Sequence, residues 1–152
     1  MERLTVIIGR QGEGKSTELF LEYVSHFIGV YTSDDEEPKK LRDALKPVFV
    51  IGDLNGVDAH KEFNALINSL QESDFNPEQW DEIINGKHII YNVGDESRIE
   101  DILRSNLEEM DCIFYLDNCD ELITVEQAVN WISDLSMVGE LNNLDIVMTK
   151  NK

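Results

Sequence analysis

Positive charge is what this sequence has least of. Thirteen lysines and arginines stand against 31 aspartates and glutamates, and the formal charge at pH 7 is −18. Such a surface repels a phosphate backbone, and the densest basic patches are only Lys39 with Lys40 and Lys150 with Lys152. Tight nucleic-acid binding by the chain alone is therefore not expected. The acidity reads first as a solvated, solubilising surface, and second as a face for a basic protein partner or a mimic of DNA. Cysteine is also scarce. Cys112 and Cys119 flank one apolar run, which excludes a disulfide scaffold and suits reduced thiols in a cytoplasmic compartment. The three histidines, His26, His60 and His88, lack ligand spacing, so no zinc site is expected. No apolar run is long enough to cross a membrane, and no secretory segment precedes the first apolar run. Repeats, linkers and low-complexity segments are missing too. With 152 residues, the expectation is one domain spanning 1–152 with a proper core.

What is present is a glycine-rich stretch, GRQGEGKST: Gly9, Arg10, Gln11, Gly12, Glu13, Gly14, Lys15, Ser16 and Thr17. It fits the Walker A pattern of Gly, four free positions, Gly, Lys, then Ser or Thr. Its context fits as well. The β-branched run Leu4–Ile8 precedes it, and Leu19, Phe20, Tyr23, Val24 and Phe27 follow at helical spacing. Strand, glycine loop, helix turns backbone N–H groups and a helix N-terminus towards one anion. In such a loop the nine residues form a nucleotide cradle. Lys15 reaches the terminal phosphates and the Ser16 hydroxyl is a ligand for Mg²⁺.

Further along, strand and helix signals alternate. Ile28–Ser33 reads as a strand that runs into the acids Asp34, Asp35, Glu36 and Glu37. Pro38 suits a helix start, with Leu41 and Leu45 along it, and Pro47 opens the strand VFVI at 48–51. After the turn GDLNG come a stripe of Phe63, Leu66, Ile67 and Leu70 and a helix capped by Asn76–Pro77 and ended at Gly86. A strand is expected over His88–Val93. Ser97 with Glu100 and Thr124 with Gln127 form capping-box patterns. CIFYL, 112–116, is a strand ending at Asp117, and Leu144–Met148 is the last strand. The expected fold is α/β, a three-layer α/β/α P-loop NTPase domain with a mostly parallel sheet.

Two acidic positions stand out beside the loop. An apolar strand ending in an acid is the usual partner of a phosphate loop, and here Asp117 would hold Mg²⁺ beside Ser16. Asp35 and Glu36 lie at the carboxyl end of the expected second strand, where open α/β sheets bind ligands. Either carboxylate could polarise an attacking water, and the chemistry does not choose between them.

These stretches resemble the RecA-like ATPase core, especially its replicative-helicase and clock or repair ATPase branches. GVYTSDDEEPKKL is similar to the family's second strand, which ends in a catalytic Glu; Asp35 stands at that place with Glu36 beside it. FNPEQWDEI, HIIYNVGD and IEDILRSNLEEMDCIFYLDN resemble the helicase run into the magnesium-binding strand. DIVMTKNK resembles a strand ending in a polar sensor, which would be Thr149 or Lys150. The resemblance implies Mg-dependent ATP binding and slow hydrolysis. Because this sequence stops short of the family's strand of basic finger residues, it also implies a protein partner or homo-oligomer that supplies the cation.

Two rival readings share the loop. A GTP switch would use Asp53 and Gly56 of GDLNG, and Thr149, Lys150 and Asn151 resemble the start of a guanine-reading motif. Lys152 stands where that motif needs an acid. The other rival is a nucleotide-gated interaction module with little turnover.

Overall fold

The first strand, β1 (Leu4–Gly9), is the β-branched run ahead of the glycine loop. The computed structural model describes residues 4–10, 12–28, 45–52, 58–86, 88–137 and 142–152. Gln11, Asp35 and Glu36, the expected strand over 29–33, the helix expected after Pro38 as far as 44, and Asp53 with Gly56 lie outside the described residues. After β1 come α1 (Lys15–Tyr23), a π-helical turn (Val24–Ile28), β2 (Lys46–Gly52) and α2 (Ala59–Asn68). A short 3₁₀ turn (Glu72–Asp74), α3 (Pro77–Asn85) and β3 (Ile90–Val93) follow. The chain continues with α4 (Glu96–Leu107), β4 (Cys112–Asp117), α5 (Val125–Met137) and β5 (Leu144–Asn151).

The five strands form one sheet in the order β1-β5-β4-β2-β3, and every neighbouring pair is parallel. A parallel sheet needs cover on both faces, and the alternation of side chains supplies two cores. Phe49, Ile113, Tyr115 and Val147 point to the face covered by α1, α2 and α3, through Phe20, Tyr23, Phe63 and Ile83. Val48, Val50, Phe114, Leu116, Ile146 and Met148 point to the opposite face. Ile99 and Leu103 of α4 and Trp131 and Leu135 of α5 cover them there. The result is three layers. Full burial of a side chain such as Leu103 contributes about 1.5–3 kcal/mol.

Local signals fix most boundaries. Asn76 and Gln79 make a reciprocal capping box at α3, with Pro77 in its first turn, and Gly86 is the C-cap. The Thr124 hydroxyl accepts from the Gln127 N–H at 3.1 Å ahead of α5. Pro47 sits in β2, where only β4 pairs with it, because β3 joins from Phe49 onward. Its missing N–H therefore costs no inner ladder bond.

Five boundaries differ from expectation. Ile28 does not open a strand; it is buried at the end of the π-helical turn, continuing the apolar stripe of Phe20, Tyr23 and Phe27. Leu45 is buried just ahead of β2, outside any helix. Ser97 does not cap α4. Asp95 does, accepting from the Arg98 N–H at 2.8 Å and from the Ser97 hydroxyl at 2.7 Å, because its carboxylate is the stronger acceptor. His88 and Ile89 precede β3 instead of starting it, and β5 runs three residues past Met148 to Asn151.

Candidate functional site

The carboxyl ends of β1, β5, β4 and β2 lie along one edge of the sheet, and the candidate residues gather there. β1 delivers the chain to Gly9, and the loop turns through Gly12 at φ 87° and Gly14 at φ 80°. A Cβ at either glycine would meet no neighbouring atom, so glycine supplies the left-handed conformation here and not extra space. Gly14 is the N-cap of α1 and has no side chain to offer its first amides. Within the loop the Arg10 N–H donates to Glu13 Oε2 at 2.8 Å, and Lys15 Nζ donates to the Arg10 carbonyl at 3.1 Å. At the far end of β5, the Lys152 N–H donates to the Gly9 carbonyl at 3.0 Å, and the Asn151 N–H donates to Asp120 Oδ2 at 2.8 Å.

Asp117 ends β4 and is 4 % exposed. Register explains its neighbour. Leu116 pairs with Met148 and Ile7 with Thr149, so Thr149 of β5 stands level with both flanking strands. The Thr149 hydroxyl, 2 % exposed, donates to Asp117 Oδ1 at 2.8 Å and accepts from the Asn118 N–H at 3.3 Å. Asp117 and Thr149 share the face that α1 covers, two residues beyond Tyr115 and Val147. One strand separates β1 from β4, so the loop strand and the acid strand run about 10 Å apart. Asn118 has φ 56°, left-handed for a non-glycine residue. A Cβ at Gly52 would strike its carbonyl oxygen, so β2 must carry glycine at this crossing.

A carboxylate that sequence patterns did not single out also belongs to the site. A cleft of about 410 Å³ is lined by Ser16 from α1 and by Lys61, Glu62, Ala65 and Leu66 from α2. Burial pushes the Glu62 carboxyl above its ordinary value of 4.5, and the charge of Asp117 pushes it the same way. Glu62 is thus brought within electrostatic reach of Asp117. The available sequence signal was its place four residues before Leu66, on the flank of the apolar stripe of α2.

The structure therefore brings Gly9, Arg10, Gly12, Glu13, Gly14, Lys15, Ser16 and Thr17 to the edge that also holds Asp117 and Thr149. Lys150 follows Thr149 and is exposed. No protein-family model, no curated protein and no solved structure matches the chain.

Two further observations bear on its chemistry. Among the described residues, no group of three or more His, Cys, Asp or Glu side chains is placed to hold a metal ion. The Thr149 hydroxyl fixes Asp117 through Oδ1. A carboxylate and a hydroxyl are hard oxygen donors, the kind that a Mg²⁺ site would draw on together with waters and phosphate oxygens. Nor is any described helix long and apolar enough to cross a membrane.

Proposed function

We propose that this chain is a minimal RecA-like P-loop domain that binds ATP with Mg²⁺ and hydrolyses it slowly, together with a protein partner or as an assembly. One observation carries the reading. The loop from Gly9 to Ser16 joins an apolar strand to a helix, and a buried acid, oriented by Thr149, ends a strand on the same edge.

The residues divide the work. The loop amides and the N-terminus of α1 receive phosphate oxygens, and Lys15 turns from the Arg10 carbonyl to the terminal phosphates. The Ser16 hydroxyl and the Asp117 carboxylate would be the oxygen ligands for Mg²⁺, and Thr149 holds Asp117 in one orientation. Bound Mg²⁺ would neutralise charge on the phosphate oxygens as the terminal group transfers. Asp35 or Glu36 supplies the carboxylate that polarises water, with Glu62 as a third acid beside Ser16. In this reading a neighbouring molecule supplies the cation that completes the site, as an arginine finger does in trans.

The experiment is competition between ATP and GTP for the wild type and Lys15→Ala, with turnover followed against protein concentration. Binding of Mg-ATP that Lys15→Ala abolishes, with specific activity that rises on assembly or with a partner, is the expected result. Preference for GTP would replace this reading by the GTP switch. Equal binding by wild type and Lys15→Ala would overturn the phosphate site.

A further inference from the structure

The loop carries its own anion. Glu13 sits between two glycines of the cradle, at the loop's exposed mouth. Its carboxylate turns inward, and Oε2 accepts from the Arg10 N–H at 2.8 Å. The same oxygen lies 3.1 Å from where a Cβ on Gly9 would stand, so it is packed against the end of β1. The Glu13 N–H closes the turn on the Arg10 carbonyl at 3.1 Å, and that carbonyl also holds the Lys15 ammonium at 3.1 Å. The Arg10 amide and the Lys15 ammonium are thus both satisfied from within the loop.

We propose that Glu13 is a specificity-determining residue of this site, an internal carboxylate that competes with phosphate for the Arg10 amide. The inference rests on the phosphate-site reading above. A bound phosphate group and the Glu13 carboxylate are both anionic acceptors, and they cannot share one N–H at hydrogen-bond distance without repulsion. A ligand must therefore displace Glu13 and draw Lys15 off the Arg10 carbonyl. A polyphosphate gains enough contacts along the loop and α1 to do so, whereas a lone phosphate ion gains few. Glu13 in this way raises the threshold for anions in general and favours extended, cation-complexed polyphosphates.

Two variants separate charge from shape. Glu13→Gln keeps an acceptor for the Arg10 N–H and loses the charge; Glu13→Ala loses both. The probes are a fluorescent ATP analogue with Mg²⁺ and inorganic phosphate as competitor. Both variants should bind the analogue about tenfold more tightly than wild type, the factor roughly equivalent to one charge-assisted hydrogen bond. The gap should narrow as salt rises, because the repulsion at an exposed loop is screened. Inorganic phosphate should compete measurably with the analogue only in the variants. Unchanged affinity in Glu13→Gln, with weaker binding in Glu13→Ala, would show that the contact merely shapes the turn and would overturn the inference while leaving the phosphate site standing. If neither wild type nor variants bind the analogue, the phosphate-site reading falls and the inference falls with it.

Discussion

Replacing Thr149 by valine tests the joint between the two halves of the site. The change keeps the shape and removes one hydroxyl, which is 2 % exposed. Two hydrogen bonds go with it: the 2.8 Å bond to Asp117 Oδ1 and the 3.3 Å bond from the Asn118 N–H. A bond to a charged group contributes about 1.5–3 kcal/mol and a neutral one about 1 kcal/mol. Valine recovers part of this by burying a methyl group, so the expected net loss is about 2–3 kcal/mol. In a domain of this size, that corresponds to a fall in Tm of about 5–10 °C. Urea unfolding followed by circular dichroism reads the loss directly. Thr149→Ser, which keeps the hydroxyl, should lose distinctly less. Mg-dependent ATP affinity should weaken in the valine protein as well, because Asp117 Oδ1 is released from its fixed orientation. A valine protein within about 0.5 kcal/mol of wild type, close to the scatter of ordinary surface changes, would refute the reasoning.

Gly52→Ala should destabilise the protein by about 1–3 kcal/mol and displace Asn118, since the new methyl group would strike the Asn118 carbonyl; wild-type stability in urea would contradict the close crossing. His88 is half-buried against the rings of Phe63, at 4.8 Å, and Tyr23, at 5.6 Å, and burial lowers its pKa from 6.5. The unfolded chain therefore takes a proton first as pH falls through 6.5, and native stability declines until the lowered pKa is passed. Glu62, shifted upward from 4.5, works in the opposite sense as pH falls, so the His88 contribution is read as the difference between wild type and His88→Phe. The variant should show a flatter fall in stability between about pH 7 and 5, and identical slopes would contradict the assignment. Burial pushes the Cys112 thiol up to about 11 and Cys119 up to about 12. Alkylation by iodoacetamide at about pH 8 should therefore track unfolding in urea, and rapid labelling of the native protein would contradict that burial.

The strand, glycine loop and first helix were legible because three local signals coincide within the first 27 residues. The caps at Asn76 and Thr124 were legible for the same reason: each rests on residues within one turn. The misplaced boundaries lie where two local signals compete. Ile28 continues a helical stripe and also begins a β-branched run, and only its burial in the core beneath the sheet decides between them. Asp95 and Ser97 are both capping residues two positions apart, and the carboxylate takes both the Arg98 amide and the Ser97 hydroxyl. The site's long-range contacts carry no local signal. Thr149 meets Asp117 across 32 residues, through a register that is set only when β5 enters between β1 and β4. Glu62 joins them through packing of α2 beside α1, and its sequence neighbours show nothing but an amphipathic helix.

The central claim is that the loop and Asp117 form one Mg-nucleotide site. Its most direct test is calorimetric titration of ATP into wild type, Lys15→Ala and Asp117→Asn, each with Mg²⁺ and with a chelator. Wild type should bind saturably and most strongly with Mg²⁺, Lys15→Ala should show no measurable binding, and binding by Asp117→Asn should no longer respond to Mg²⁺. Absence of binding by wild type, or Mg²⁺-dependence unchanged in Asp117→Asn, would contradict it.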